Sequence, residues 1–172
     1  RTSEDAVAET IENNVRKLII NESPVDPAYY EKMSKLLDAL IEQRRKGVVS
    51  YKEYLAKIAT LTKEATTPGG KPGYPASLDT SAKQALYNNL WQDEKLALQV
   101  DRAILDNLQD GWRDNSLKTR RVRQAIRQIL MVAIPADRGL KVQDGYAPAP
   151  LPLDLEHETD RILTLARHQH GY

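Results

Sequence analysis

Apolar positions along this chain fall at intervals of three and four residues, the spacing that puts them on one face of an α-helix. Val7, Ile11, Val15 and Leu18 make the first stripe, widened by Ala8 and Ile19. It predicts a helix over 3–21, with Ser3 as N-cap and Glu4 and Asp5 at the positive end of the dipole. "NESPVDP" breaks that helix, and Asp26-Pro27 supplies the cap and first turn of a second one, which runs to about Lys46. Tyr30, Met33, Leu36, Leu37, Leu40 and Ile41 share its apolar face; Arg44, Arg45 and Lys46 suit its C-terminal end and Gly47 its stop. A third helix follows the capping box of Ser50 and Glu53, with Tyr54, Leu55, Ile58 and Leu61 inward. The connections are short, so antiparallel packing is expected.

"TTPGGKPGYPAS", residues 66–77, reads as a linker or surface loop. Its Gly-Gly-Lys lacks the spacing of a phosphate-binding loop and follows no strand. Beyond it the pattern predicts a short helix over 81–91. A second, over 93–109, carries Leu96, Val100, Ala103, Ile104 and Leu108. "DGWRDNS" turns the chain into a basic amphipathic helix over 117–131. The Pro-rich stretch 135–153 is irregular, and its "APAPLP" favours polyproline II. Asp154 then caps a last helix bearing Leu155, Ile162, Leu165 and Ala166. No strand signal is longer than "LKV". The fold class is therefore all-α, a helical bundle of about six to seven helices with long Pro/Gly-rich loops. Residues 1–172 are expected to form one helical domain, with a three-helix part at 1–65, the linker or loop at 66–80 and a second helical part at 81–172. The Pro and Gly of the linker leave one core or two open.

Composition narrows the chemistry. The chain has 172 residues, enough for a real core, and with no Phe that core must come from Leu, Ile, Val, Tyr and Trp. No Cys is present, which excludes disulfides, thiolate catalysis and Cys-ligated zinc. A net charge of +1 argues against a wholesale nucleic-acid coat and leaves room for a local basic patch. No apolar run approaches the ~18 residues of a membrane span, and no signal-peptide pattern is visible. The chain opens on Arg1 in mid-pattern, as a piece of something longer would.

On a helical wheel the basic helix separates Val122, Ala125, Ile126 and Ile129 from Arg120, Arg123 and Arg127. That basic side reads either as a solvated face or as a surface for phosphates or an acidic partner. Arg113 and Trp112 would extend the patch, although a Trp in such a turn equally suits a core anchor. His168 and His170, two apart, point away from each other on a helix and make a poor metal pair; His157 reads as helix surface. The carboxylates of "EDAVAET" and "DLEHETD" show no cleft for acid–base work, and no Ser lies in G-x-S-x-G. No catalytic, cofactor or metal site is expected. Asn13 and Asn14 are poor helix formers in mid-helix. The wheel puts Asn14 at the edge of the apolar stripe, where it should be half-buried and its loss should weaken the fold. Asn13 points outward between Arg16 and Lys17, as solvated surface or as a partner contact.

"AETIENNVRKLIINESPVDPAYYEKMSKLLDALIEQRR" followed by "SYKEYLAKIATL" resembles the C-terminal region of the motor/restriction (R) subunit of type I restriction-modification enzymes. The likeness is dense over 8–63. It continues more loosely through "KQALYNNL", "LALQVDRAI" and "DGWRDNSLKTRRVRQAIRQIL", and "ILTLARHQHGY" resembles that subunit's C-terminus. The resemblance implies a parent subunit of the prokaryotic cytoplasm that uses ATP and Mg2+ to translocate DNA, cleaving it at a distance from an unmethylated site. It also implies partners: the modification and specificity subunits of the methyltransferase core, which the C-terminal helical region helps to hold. The nuclease, helicase and phosphate-loop motifs of the parent do not occur in this sequence, and no catalytic residue carries over. The expectation is a non-catalytic assembly module docking chiefly on the modification subunit. The alternative is a helical module touching duplex DNA through its basic face, and a free-standing enzyme is the third reading.

Overall fold

A computed structural model describes residues 2–67, 73–134 and 154–172. Among them are seven α-helices, two single 3-10 turns and no strand: α1 (Ser3–Glu22), α2 (Pro27–Arg45), α3 (Tyr51–Thr66), α4 (Ser81–Asn89), α5 (Glu94–Asn107), α6 (Ser116–Ala133) and α7 (Leu155–Arg167). Each helix starts on a Thr, Ser, Asp or Asn whose side chain accepts a backbone N–H of the first turn. Ser50 and Glu53 form the expected capping box. At α1 the cap is Thr2, boxed with Asp5, and not Ser3. Just past the Lys46 cap of α2, Gly47 has a φ of +68°, which permits the bonds from Gly47 N to Arg44 O and from Val48 N to Gln43 O. "LKV", "APAPLP" and the Gly-Gly-Lys of the linker lie outside the described residues.

The chain divides into two compact units, Arg1–Gly73 and Tyr74–Tyr172, each with its own core. In the first, α1, α2 and α3 each pack on the other two. Tyr30, Met33, Leu37 and Tyr54 are its largest fully buried side chains, each worth about 1.5–3 kcal/mol of burial. The tyrosine hydroxyls are not left bare. Tyr29, Tyr30 and Tyr54 donate to the carbonyls of Glu64, Ala65 and Ala8. These bonds tie the start of α2 to the end of α3, and the start of α3 to α1. In the second unit α4 to α7 follow one another, each packed on its chain neighbour, and α4 meets α7 to close the ring. Leu86, Leu90, Val100, Ile104, Ile126, Leu130 and Ile162 fill its centre.

Two expectations for α1 need correction. Its buried face is Ala8, Glu12, Val15 and Ile19, and Val7 is 49 % exposed. Asn14, expected to be half-buried, is exposed, as is Asn13. The helix is rotated because the position facing inward is a charged one. Glu12 receives two bonds from Arg44 and a third from the Tyr54 hydroxyl, so a carboxylate stands where the apolar stripe alone would put an aliphatic side chain.

Candidate functional site

The candidate surfaces lie on different units, and each is built by a helix pair. In the first unit, α1 and α3 run parallel, since Tyr54 near the start of α3 reaches Ala8 near the start of α1. Between them lies an open, mostly apolar groove of about 530 Å³, lined by Ile11, Leu55, Ile58, Ala59, Thr62, Lys63 and Thr66. Leu55, expected inward, is 36 % exposed and forms part of this wall. The threonines are less polar than their sequence suggests. Thr62 Oγ1 donates to Ile58 O and Thr66 Oγ1 to Thr62 O, which spends the hydroxyls on their own helix.

The residues singled out on α1 have separate fates. Arg16 Nη2 donates to Asp38 Oδ1 of α2 at 2.5 Å, a surface pair that pins α1 to α2. Asn13 and Lys17 are exposed and point to solvent. Asn14 is exposed as well and is not among the residues that line the groove.

In the second unit the basic helix is not a free basic face. Arg123 donates to Asp160 Oδ1 at 2.8 Å and to Glu156 Oε2 at 2.6 Å, and Arg127 donates to Glu156 Oε1 at 2.7 Å. The two cations are four apart on α6 and the two carboxylates four apart on α7. The helices run antiparallel, so the rows match. The expected trio of Arg120, Arg123 and Arg127 is thereby split: Arg120 is exposed, while Arg123 and Arg127 are partly covered by α7. The hydrogen bonds to Asp160 and Glu156 raise the Arg123 pKa further, and Arg123 and then Arg127 hold the Glu156 carboxyl below its ordinary value.

Trp112 does not extend a surface patch. It is 3 % exposed within the second core, and its indole N–H donates to Tyr172 O. Arg113 sits over the Trp112 ring, 5.1 Å from its centroid, and donates to the carbonyls of Arg167 and Gln169. The pair fastens the end of α7 to the turn before α6. The Tyr172 hydroxyl donates to Asp101, and burial drives its pKa far up. His168 Nδ1 lies 2.8 Å from Thr164 O, as a cap on its own helix. Among the described residues no group of three His, Cys, Asp or Glu is placed to hold a metal ion, and no helix is long and apolar enough to cross a membrane.

Two features escaped the sequence reading. The groove depends on which way α1 is rotated, and that is decided by Arg44, 32 residues beyond Glu12. The α6–α7 ladder did leave a trace, the four-residue spacing common to Arg123/Arg127 and Glu156/Asp160. No family model, curated protein or solved structure matches the chain.

Proposed function

We propose that this chain is a non-catalytic assembly module that docks a type I restriction motor subunit onto its methyltransferase core, chiefly on the modification subunit. The observation that carries the reading is that the segment bearing the resemblance, 8–63, lies within one self-contained three-helix unit with its own core. Protein interfaces draw on apolar side chains and a few Arg or aromatic anchors set in a polar rim. Val7, Leu36 and Leu55 are large apolar side chains left exposed on this unit.

The DNA-contacting alternative rests on α6, and two of its three cations already have carboxylate partners there. A duplex would have to displace Glu156 and Asp160 to reach them. The parent subunit's ATP and Mg2+ play no part in either reading of this segment.

Mixing the chain with the cognate methyltransferase, with and without duplex, and resolving complexes by size exclusion tests the proposal. Docking predicts co-elution without DNA, unchanged by replacing Arg120, Arg123 and Arg127 with Ala. Co-elution only with DNA, together with a salt slope lowered by about 2.7 in the triple variant, would replace docking by phosphate contact.

A further inference from the structure

We propose that the groove between α1 and α3 seats an amphipathic α-helix of the partner, aliphatic along its seam and carboxylate-bearing on the flank toward α3. This inference rests on the docking reading and adds to it the chemistry of the partner surface.

The shape suits a helix. The α3 wall runs from Leu55 to Thr66, about 16 Å or three turns at 1.5 Å per residue. On the other side α1 contributes Ile11. Ala59 lies midway along the α3 wall and leaves room for a backbone to approach. Leu55 and Val7, one turn before Ile11, are exposed where a third wall would cover them. The threonine hydroxyls of the floor are already bonded to α3 carbonyls, so an aliphatic seam strands no donor there. Peptide helices commonly dock in this way, by aliphatic anchors spaced three and four apart.

Charge chooses the flank. The lining holds Lys63 and no carboxylate. Lys52, one turn before Leu55, is exposed on the same side of α3, while on α1 the exposed charge in line with Val7 and Ile11 is Glu4, so the positive side of the groove is the α3 side. Glu53, the nearest carboxylate on α3, is committed to the Ser50 N–H. A helix with a basic flank toward α3 would meet like charges there, and one with an acidic flank would meet partners. Phosphates have no use for an aliphatic trough, which sets a protein helix above a nucleic acid here.

The test uses the whole chain, isotope-labelled, titrated with three synthetic helical peptides while backbone amide shifts are followed. One peptide carries Leu at alternating three- and four-residue intervals with Glu on one flank. The second has Lys in place of Glu, and the third has Ser in place of Leu. The Glu peptide should give saturable shifts confined to α1 and α3, the Lys peptide should bind about tenfold more weakly or worse, and the Ser peptide should not bind. The double variant Leu55→Asp/Ala59→Arg, at exposed positions and checked for helix content, should lose the effect; Val48→Asp, on the exposed turn after α2, should keep it. Equal binding of the Glu and Lys peptides, absence of any binding, or shifts elsewhere would overturn the proposal. A dimer in sedimentation that Leu55→Asp abolishes would assign the groove to a second copy and overturn it too. The docking reading fails separately. It falls if the Glu peptide binds but the methyltransferase does not. If the methyltransferase binds the double variant as tightly as the parent chain, docking stands and the groove is not its surface.

Discussion

Arg44 grips Glu12 with two nitrogens, Nε to Oε1 at 2.7 Å and Nη2 to Oε2 at 3.2 Å, joining the end of α2 to the middle of α1. Their side chains are 10 % and 5 % exposed. Arg44 also lies over the Tyr54 ring and reaches Asp5 at 3.1 Å, so one cation ties α1, α2 and α3 together. The Glu12 hydrogen bond raises the Arg44 pKa, and the cation persists at every ordinary pH. Removing one partner of a buried pair leaves the other charge uncompensated and typically costs about 3–5 kcal/mol. Glu12→Ala and Arg44→Ala should each lower stability by about 3 kcal/mol in denaturant unfolding followed by circular dichroism. The double variant Glu12→Leu/Arg44→Met should recover most of the loss, because apolar replacements of similar volume are often neutral. Singles that cost no more than a surface pair would remove this ion pair from the account of the fold.

Asn14 leads to an expectation opposite to the one its sequence context suggests, while Asn13 points outward as expected. Both are exposed, so neither holds the bundle together. Each still has the helix propensity of Asn, roughly 0.6 kcal/mol worse than Ala. Asn13→Ala and Asn14→Ala should each raise the melting temperature slightly, and the double should add. A clear loss of stability in Asn14→Ala alone would restore it to a structural role.

The contrast between these two pairs of residues shows where sequence is legible. The helices could be read because their signals are local. Asp26-Pro27, Ser50 with Glu53 and Asp154 each act within four residues, and each caps the helix it was expected to cap. The rotation of α1 could not be read, because a stripe through Val7 and Leu18 and one through Ala8 and Ile19 are nearly equal in apolar content. A distant Arg decides between them. The basic helix failed in a related way. Periodicity gave the radial position of Arg123 and Arg127 correctly, but the carboxylates that cover them sit 33 and 37 residues away on α7.

The α6–α7 ladder sets how acid and duplex should act on the second unit. Glu156 titrates below its ordinary value of 4.5 because Arg123 and Arg127 bond its charged form. A carboxyl with a depressed folded pKa contributes fully above its unfolded value and loses that contribution only as pH falls through the folded one. Carboxyl resonances should therefore show Glu156 mostly ionised at pH 4.5 and protonating below it. Its exposure makes the stability effect small. Glu156→Gln combined with Asp160→Asn frees both cations. Duplex affinity should then rise and its salt slope steepen by about 1.8, two phosphates at 0.9 each. An unchanged slope would mean that α6 does not meet phosphate even when uncovered.

Alkali should act on the first unit through Tyr30. Its hydroxyl is buried and donates to Ala65 O, and burial, with Glu22 and Asp26 nearby, pushes its pKa from 10.0 to about 12. Burial likewise raises that of Tyr54, with the Glu12 charge as the next cause. A group whose folded pKa is raised contributes fully below the unfolded value and loses that contribution as pH rises toward the folded one. Stability should hold to about pH 10 and fall between pH 10 and 12, by up to about 2 kcal/mol from Tyr30 at roughly 1.4 kcal/mol per pH unit. Tyr30→Phe should start lower, having lost a hydrogen bond, but decline less over that interval. Denaturant melts at successive pH values would show it, and parallel curves for the two proteins would count against Tyr30 as the titrating group.

The turn between α4 and α5 holds Trp91 and Gln92 at φ of 55° and 56°, a left-handed region that favours glycine. Trp91 is kept there by packing against the second core, with Arg161 over its ring at 5.7 Å. Gln92 is exposed, and its backbone N–H donates to Tyr87 O at 2.9 Å, a bond any residue can make. Relief of strain should therefore decide the outcome at this position. Gln92→Gly should stabilise the second unit by roughly 0.5–1 kcal/mol, even though glycine also loosens the unfolded chain. Gly111 is the mirror case. It has φ +68° and open space around a would-be Cβ, so Gly111→Ala tests backbone strain without a clash and should destabilise by about 1 kcal/mol. Both tryptophans, Trp91 and Trp112, belong to this unit, so tryptophan fluorescence during denaturation reads its unfolding directly. Shifts of the same sign for the two substitutions would mean that backbone conformation at these turns is not what limits the unit's stability.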